Sequence, residues 1–361
     1  DLKARSIAVH LKRTIKSGER VLLVYHAGVE FVTAFFGCLY AGVIAVPVNP
    51  PRPRRPLTRL ESVAVDADVC AVLSTGSVMA DVEKVIKKTP RLEAIEWIDT
   101  DKIEINLAEK WQKPLIGSET IAFFQYTSGS TSVPKGVMVS HENLLHNQYL
   151  IKTAYNNTEN SVHVCWLPMF HDMGLIGNLI QCVYLGTHCV LMSPAAFLQK
   201  PLRWLKAISK YRARNSSAPN FAYELCVKTI NDEQLKELDL SSWSVASNGA
   251  EPVRYDTISK FSDKFSTCGF KLEAFYPCYG LAESTLFVTG GKVADKPLRL
   301  DLKAEQLEQN RAIAASEKDT AVLTVVGCGH TWVDQKVEIV DPETFKKCEP
   351  DRVGEIWIEG S

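Results

Sequence analysis

The residues Thr127-Ser128-Gly129-Ser130-Thr131-Ser132-Val133-Pro134-Lys135-Gly136 have the composition of a phosphate grip. Gly129 and Gly136 permit backbone angles that other residues resist, so successive N–H groups can turn toward one anion. The hydroxyls of Thr127, Ser128, Ser130 and Thr131 add donors, and Lys135 adds a positive charge. The apolar run 120–126, Thr-Ile-Ala-Phe-Phe-Gln-Tyr, reads as a buried strand leading into this loop. A flexible Ser/Gly/Thr linker has similar composition, but it does not normally sit between a buried strand and Pro-Lys-Gly. The spacing is not Walker A, because Lys135 is followed by Gly136 and Val137 rather than by Ser or Thr.

Three further stretches carry chemically useful side chains. Tyr276-Pro277-Cys278-Tyr279-Gly280-Leu281-Ala282-Glu283 ends in a single carboxylate after an aromatic and a glycine. Alone it reads equally as a strand end with a solvated glutamate. Asn248-Gly249-Ala250-Glu251-Pro252 is either a plain turn or a place where small residues let backbone approach a ligand closely. Trp166-Leu167-Pro168-Met169-Phe170-His171-Asp172-Met173-Gly174 holds a His-Asp pair. A metal phosphohydrolase would need further His and Asp ligands, and no suitable pattern accompanies the pair. A lone histidine in an apolar segment is usually structural.

Taken together and in this order, the motifs resemble those of the adenylate-forming enzymes: acyl-CoA synthetases, peptide-synthetase adenylation domains and luciferases. The forms His171-Asp172-Met173-Gly174 and Gly249-Ala250-Glu251-Pro252, and Ser132 where most of the superfamily has Gly, are similar to the fatty acyl-AMP ligase branch. The resemblance runs through Val333-Asp334-Gln335-Lys336-Val337-Glu338-Ile339-Val340 to Val353-Gly354-Glu355-Ile356-Trp357. It implies activation of a fatty acid by ATP and Mg2+ to an acyl-adenylate, for transfer to an acyl-carrier protein. It also implies roles. Lys135 and the hydroxyl loop would hold the β- and γ-phosphates, and Glu283 would be a ligand of Mg2+. Tyr279, Gly280 and the turn Asn248-Gly249-Ala250 would bind the adenine. His171 would lie beside the carboxylate and α-phosphate, and Met173, Asn220 and Phe221 would line the acyl pocket. An acyl-CoA synthetase, or a non-catalytic acyl- or nucleotide-binding module, are the rival expectations. The family's ribose-binding aspartate, hinge and small C-terminal domain with its catalytic lysine would all follow Ser361, and both ends of the sequence look cut.

The elements that must position these residues are α/β in character. Residues 21–25, 43–48, 69–73 and 94–98 read as buried strands, with helices over 29–40 and 81–88 between them. Strands over 161–167, 187–192 and 215–218 and a helix over 201–211 follow the phosphate loop, and a helix begins near Gly174. Alternating runs at 321–326, 336–340 and 354–358 suggest a small antiparallel barrel. The expected fold is therefore two packed, mostly parallel αβ subdomains plus a small β-barrel. The portions are 1–118, 119–290 with the phosphate, adenine and acyl residues, and 291–361.

Composition narrows the partners. With 46% hydrophobic and 23% charged residues the chain is an ordinary globular one, and a net charge of −1 gives no reason to expect nucleic acid. The uncharged run 31–48 is interrupted by Gly37, Gly42 and Pro47, which argues against an integral membrane segment. Ten scattered cysteines without a Cys-x-x-Cys pair suggest reduced thiols and a cytoplasmic protein. The basic loop Pro51-Arg52-Pro53-Arg54-Arg55-Pro56 reads as a solvated entry into a helix.

Overall fold

The computed structural model describes residues 1–51, 57–127 and 134–361. Most of the basic proline-rich loop and the phosphate-loop residues Ser128, Gly129, Ser130, Thr131, Ser132 and Val133 lie outside the described residues. The chain divides into two compact units, residues 1–145 with 168–175, and residues 146–167 with 176–361.

The first unit is built on a six-stranded sheet. Its strands are β1 (Arg20–Val24), β2 (Ile44–Val48), β3 (Ala71–Ser74), β4 (Glu96–Asp99), β5 (Ile121–Tyr126) and β6 (Gly136–Ser140). Their order is β4-β3-β1-β2-β5-β6, parallel except for the final β5–β6 pair. All five residues of β2 and all four of β3 are buried. That is why these strands read as unbroken apolar runs rather than as alternating ones: helices cover both faces of a parallel sheet. Leu22, Val24, Val46, Leu60, Val63, Val72 and Tyr126 share one side of this core. Phe35 of the helix Val29–Ala41 meets Phe123 of β5 edge to face, with ring centroids 5.6 Å apart.

The second unit holds a seven-stranded sheet. It comprises β7 (His163–Cys165), β8 (Cys189–Leu191), β9 (Asn215–Ala218), β10 (Val245–Asn248), β11 (Phe275–Gly280), β12 (Phe287–Gly290) and one strand from further along the chain, His330–Thr331. β8-β7-β9-β10-β11 are parallel, and β12 returns antiparallel to β11. Trp204, Tyr223, Trp243, Phe261 and Phe265 are fully buried beside it. Burying each such side chain contributes roughly 1.5–3 kcal/mol. β9 is an exception in composition, since Asn215-Ser216-Ser217-Ala218 is buried at all four positions. Its hydroxyls are paired instead: Ser216 donates to the Val164 carbonyl at 2.6 Å, and Ser217 and Ser247 share a 2.6 Å bond.

The expected barrel is not formed among the described residues. β13 (Arg299–Lys303) forms a two-stranded ladder with β14 (Val322–Val326), β15 (His330–Thr331) joins the large sheet, and β16 (Lys336–Val340) forms a second two-stranded ladder with β17 (Glu355–Glu359). Alternation in sequence specifies two-faced strands; whether they close depends on pairing at their edges, which local pattern does not encode. Residues Gly136–Ser140 form β6, and the helix His141–Ala154 follows it directly. The helix expected near Gly174 is one turn at Asp172–Gly174, then a π-helix over Leu175–Ile180, then Gln181–Leu185. All ten cysteines are free, and Cys38, Cys165, Cys182, Cys226 and Cys268 are buried. Among the described residues no helix is long and apolar enough to cross a membrane.

Candidate active site

In the first unit, the phosphate loop is closed at its base by the β5–β6 pair. Tyr126 lies opposite Gly136, and the Thr127 amide donates to the Lys135 carbonyl at 3.3 Å. Gly136 is not in a left-handed conformation; it opens an extended strand. A β-carbon there would stand 2.8 Å from the Tyr126 ring, so the glycine is needed for clearance rather than for unusual angles. This corrects the conformational reason expected from sequence. The Tyr126 hydroxyl donates to Asp66 at 2.5 Å, and Arg59 donates to the Thr127 carbonyl at 3.4 Å. Burial, then the Asp66 hydrogen bond, pushes the Tyr126 phenol well above its ordinary range. Lys135 is exposed at the loop's end.

The same unit contains the His171 segment, and it is attached to β5. Gln125 Nε2 donates to the Phe170 carbonyl at 2.9 Å, two residues before Thr127 in the strand and one before His171 in the segment. His171 Nδ1 lies 2.6 Å from Asp172 Oδ1, which also accepts the Met173 amide at 2.6 Å. The Asp172 hydrogen bond raises the His171 pKa above its ordinary value, against a smaller opposing effect of burial. With Nδ1–H on the carboxylate, Nε2 is the nitrogen left to act as donor, and the imidazolium form is favoured. His171 is half-exposed, whereas Met173 is buried.

In the second unit, β10 and β11 run side by side with Asn248 opposite Pro277. The turn after β10 presses onto β11: a β-carbon on Gly249 would be 2.9 Å from the Cys278 carbonyl oxygen. Ala250 takes the left-handed backbone at φ 65°. Tyr279 is half-buried, and the pairing of β11 with β12 shifts register between Tyr279 and Gly280. At Gly280 a β-carbon would lie 1.9 Å from the Leu286 carbonyl oxygen, so no other residue fits without moving β12. Glu283 is exposed on the one-turn 3-10 helix Ala282–Ser284 between these strands. The fold thus builds a strand end with a solvated glutamate, on a tightly packed turn.

Of the acyl-pocket candidates, Asn220 and Phe221 belong to the second unit and Met173 to the first. Asn220 is buried, donates to Thr257 at 3.1 Å, and accepts the Arg254 amide at 3.1 Å. Its amide thus holds the stretch that follows the Asn248 turn. Phe221 is 42% exposed and meets Trp166 edge to face at 6.3 Å. Residues to which no role was assigned from sequence do much of the positioning. Glu251 accepts the Phe221 amide at 2.6 Å, and Gln125, Asp172 and Asn147 act similarly elsewhere. For Gln125 and Asn147 the available signal was a polar side chain on an otherwise buried strand or helix face.

The donor set suits a hard cation that takes most of its oxygens from phosphate. Among the described residues no group of three or more His, Cys, Asp or Glu gathers to hold a metal alone. Glu283 offers one accessible carboxylate, which matches the one or two protein ligands usual for Mg2+ at phosphate sites. The close approaches at Gly249 and Gly280 hold the Asn248 turn and the Leu286–Phe287 stretch against β11, on which half-buried Tyr279 lies.

A family model described as AMP-binding enzyme matches residues 1–361. The chain is 49% identical to the medium-chain fatty acid acyl-carrier-protein ligase JamA of Moorena producens, over 99% of this chain and 62% of that protein. It is 36% identical to the similarly named ligase TtuA of Teredinibacter turnerae, over 95% of this chain and 59% of that one. Among solved structures, a fatty acyl-adenylate ligase from L. pneumophila in complex with acyl adenylate and pyrophosphate superposes with a TM-score of 0.93. It shares 44% identity, over 99% of this chain and 62% of that one. The chain thus spans about three fifths of the length of the relatives it matches.

Proposed function

The chain belongs to the AMP-binding enzyme family, and from that premise we propose that it activates a fatty acid with MgATP, giving acyl-adenylate and pyrophosphate, for transfer to an acyl-carrier protein. The observation that carries this reading is the 44% identity, over 99% of the chain, to a fatty acyl-adenylate ligase captured with acyl adenylate and pyrophosphate. The names of the relatives JamA and TtuA support the carrier protein as acceptor. Ten free thiols support a reducing, cytoplasmic setting.

In this reaction a carboxylate oxygen attacks the α-phosphorus, the bond to the β-phosphate oxygen breaks, and pyrophosphate leaves. Little covalent work falls to the protein, so catalysis is positioning and stabilisation of charge. Lys135 and the hydroxyls of Thr127, Ser128, Ser130 and Thr131 hold the departing phosphates, with Gly129 and Gly136 completing the loop. Asn248, Gly249, Ala250, Tyr279 and Gly280 bind the base. His171, whose pKa the Asp172 hydrogen bond raises, donates from Nε2 to developing negative charge, where a fixed donor is worth more than in water. Glu283 holds Mg2+, whose contribution when bound is to neutralise phosphate charge. Of the acyl-pocket candidates, Phe221 is the exposed one that can meet the acyl chain, Asn220 supports the neighbouring stretch through Thr257 and Arg254, and Met173 lies buried in the first unit.

Fatty-acid-dependent exchange of labelled pyrophosphate into ATP tests the first half-reaction. Loading of a carrier protein against thioester formation with CoA tests the second. Exchange with carrier loading and little acyl-CoA is expected. Efficient acyl-CoA synthesis would assign the chain to the acyl-CoA synthetases, and binding without exchange would make it a non-catalytic module.

A further inference from the structure

We propose that Asn147 is a positioning residue for the Glu283 carboxylate: its buried side-chain amide pairs with β12 as an extra strand would, and so fixes the turn on which Glu283 rides. This inference rests on the reading of Glu283 as the Mg2+ ligand.

Asn147 lies in the helix His141–Ala154 and is 2% exposed. Its Oδ1 accepts the Phe287 amide at 3.1 Å, while Nδ2 donates to the Phe287 carbonyl at 3.1 Å and to the Ser284 carbonyl at 3.3 Å. One amide thus meets both backbone groups of the first β12 residue and reaches the residue beside Glu283. A primary amide offers one acceptor and two donors in one plane, which no other side chain of similar size and shape except glutamine supplies.

The turn needs such an anchor. Thr285 is buried in the left-handed half of backbone space at φ 67°, a costly conformation for a β-branched residue. Local hydrogen bonds fold the turn on itself: Thr285 donates to the Ala282 carbonyl at 2.9 Å, and Leu281 to the Leu286 carbonyl at 3.0 Å. These bonds define the shape of the turn but not its place. Its place is set by the pairing of Phe287 with Gly280 of β11 and, from outside the hairpin, by Asn147 and by Gln335, whose Nε2 also donates to the Phe287 carbonyl at 3.3 Å. The neighbouring residues reinforce the same junction, since His146 Nε2 lies 2.7 Å from Asp334 Oδ1. Phe287 itself is seated in the cluster of Leu150, Ile151, Tyr155 and Tyr276. Asn147 therefore ties an exposed carboxylate, through a short turn strained at Thr285, to a buried helix face.

The test compares Asn147→Leu, Asn147→Gln, Gln335→Leu and Glu283→Gln in the purified protein. Three quantities are followed: amide hydrogen exchange over residues 281–287, the Mg2+ concentration that half-saturates the ATP-induced rise in melting temperature, and the Mg2+ dependence of pyrophosphate exchange. Asn147→Leu is expected to speed amide exchange in the turn. It should also raise the half-saturating Mg2+ about 10- to 100-fold, the usual consequence of removing a group that orients a metal ligand. Gln335→Leu should shift it in the same direction by less, and Asn147→Gln should restore part of the loss if Asn147→Leu folds poorly. A general loss of stability with unchanged Mg2+ half-saturation in all three variants would overturn the positioning role. The underlying reading fails separately: Glu283→Gln with wild-type Mg2+ dependence removes Glu283 as ligand, whatever Asn147 does.

Discussion

In the first unit, the residues proposed to handle phosphate and carboxylate hang from the end of one strand. β5 carries the loop base directly and holds the His171 segment through Gln125, so a few hydrogen bonds around residues 125–136 define the arrangement. In the second unit, the residues proposed to handle the base and the metal are set by close packing instead. Gly249 and Gly280 allow backbone to touch backbone, and Asn147 anchors the turn from a separate helix. The first arrangement resembles a handle, open to solvent at Lys135 and His171; the second resembles a mould. Substitutions should therefore act mainly on chemistry in the first unit and on both chemistry and stability in the second. Glu283, exposed in the mould, is the informative exception.

The largest effect is expected there. Glu283→Gln should lower pyrophosphate exchange by about 100- to 1000-fold, on the scale of losing one fixed electrostatic contact to a transferring group. Because the side chain is exposed, the melting temperature should stay within a degree or two of wild type. An active variant would remove Glu283 from the mechanism. Gly280→Ala probes the mould itself. With its β-carbon 1.9 Å from the Leu286 carbonyl oxygen, it should destabilise the protein by about 3 kcal/mol, the upper part of the usual overpacking range. Denaturant unfolding measures this, and a wild-type midpoint would show that β12 moves freely.

Two histidines separate the units by pH. His163, in the second unit, is buried against Asn215, and burial, with Arg214 nearby, lowers its pKa from 6.5 to about 4. A depressed folded value means the contribution is complete above pH 6.5 and is lost as pH falls toward 4. The loss is on the order of 3 kcal/mol. His163→Gln should flatten the acid limb of stability measured by denaturation between those values; an unchanged limb would assign it to other groups. His171, in the first unit, has a raised pKa, so the sign reverses. Its contribution is present below pH 6.5 and is lost as pH rises through the raised value. The exchange rate should follow the same alkaline limb, and Asp172→Asn should move that limb to lower pH. A limb that stays in place would exclude the imidazolium as donor. The smallest effect is expected for Glu251→Ala, which removes the acceptor of the Phe221 amide. It should cost about 1 kcal/mol of stability, as other lost helix-start caps do, with little change in the Mg2+ dependence.

Much of this architecture was legible beforehand, and for a physical reason. Parallel strands buried on both faces must be continuous apolar runs, and β1, β2, β3 and β5 announce themselves as such. The motif residues were equally visible, because hydroxyls, glycines and a lysine together in one loop have few other uses. Their mode of action was less so. Gly136 serves a neighbouring ring rather than an unusual backbone angle, and the left-handed residue of the Asn248 turn is Ala250. The buried polar strand β9 and the anchor Asn147 are tolerable only because distant partners satisfy their hydrogen bonds.

By its residue types and their order, the sequence alone determined the α/β class, the family and the candidate groups for phosphate, base and carboxylate. Only the tertiary structure decided that the last strands form separate two-stranded ladders, that His171 hangs from β5 through Gln125, and that the Glu283 turn is held by a helix residue 136 positions earlier. Local pattern reports which face of an element is apolar. It does not report which partner will meet that face, because a long-range hydrogen bond or close contact is a property of two segments at once.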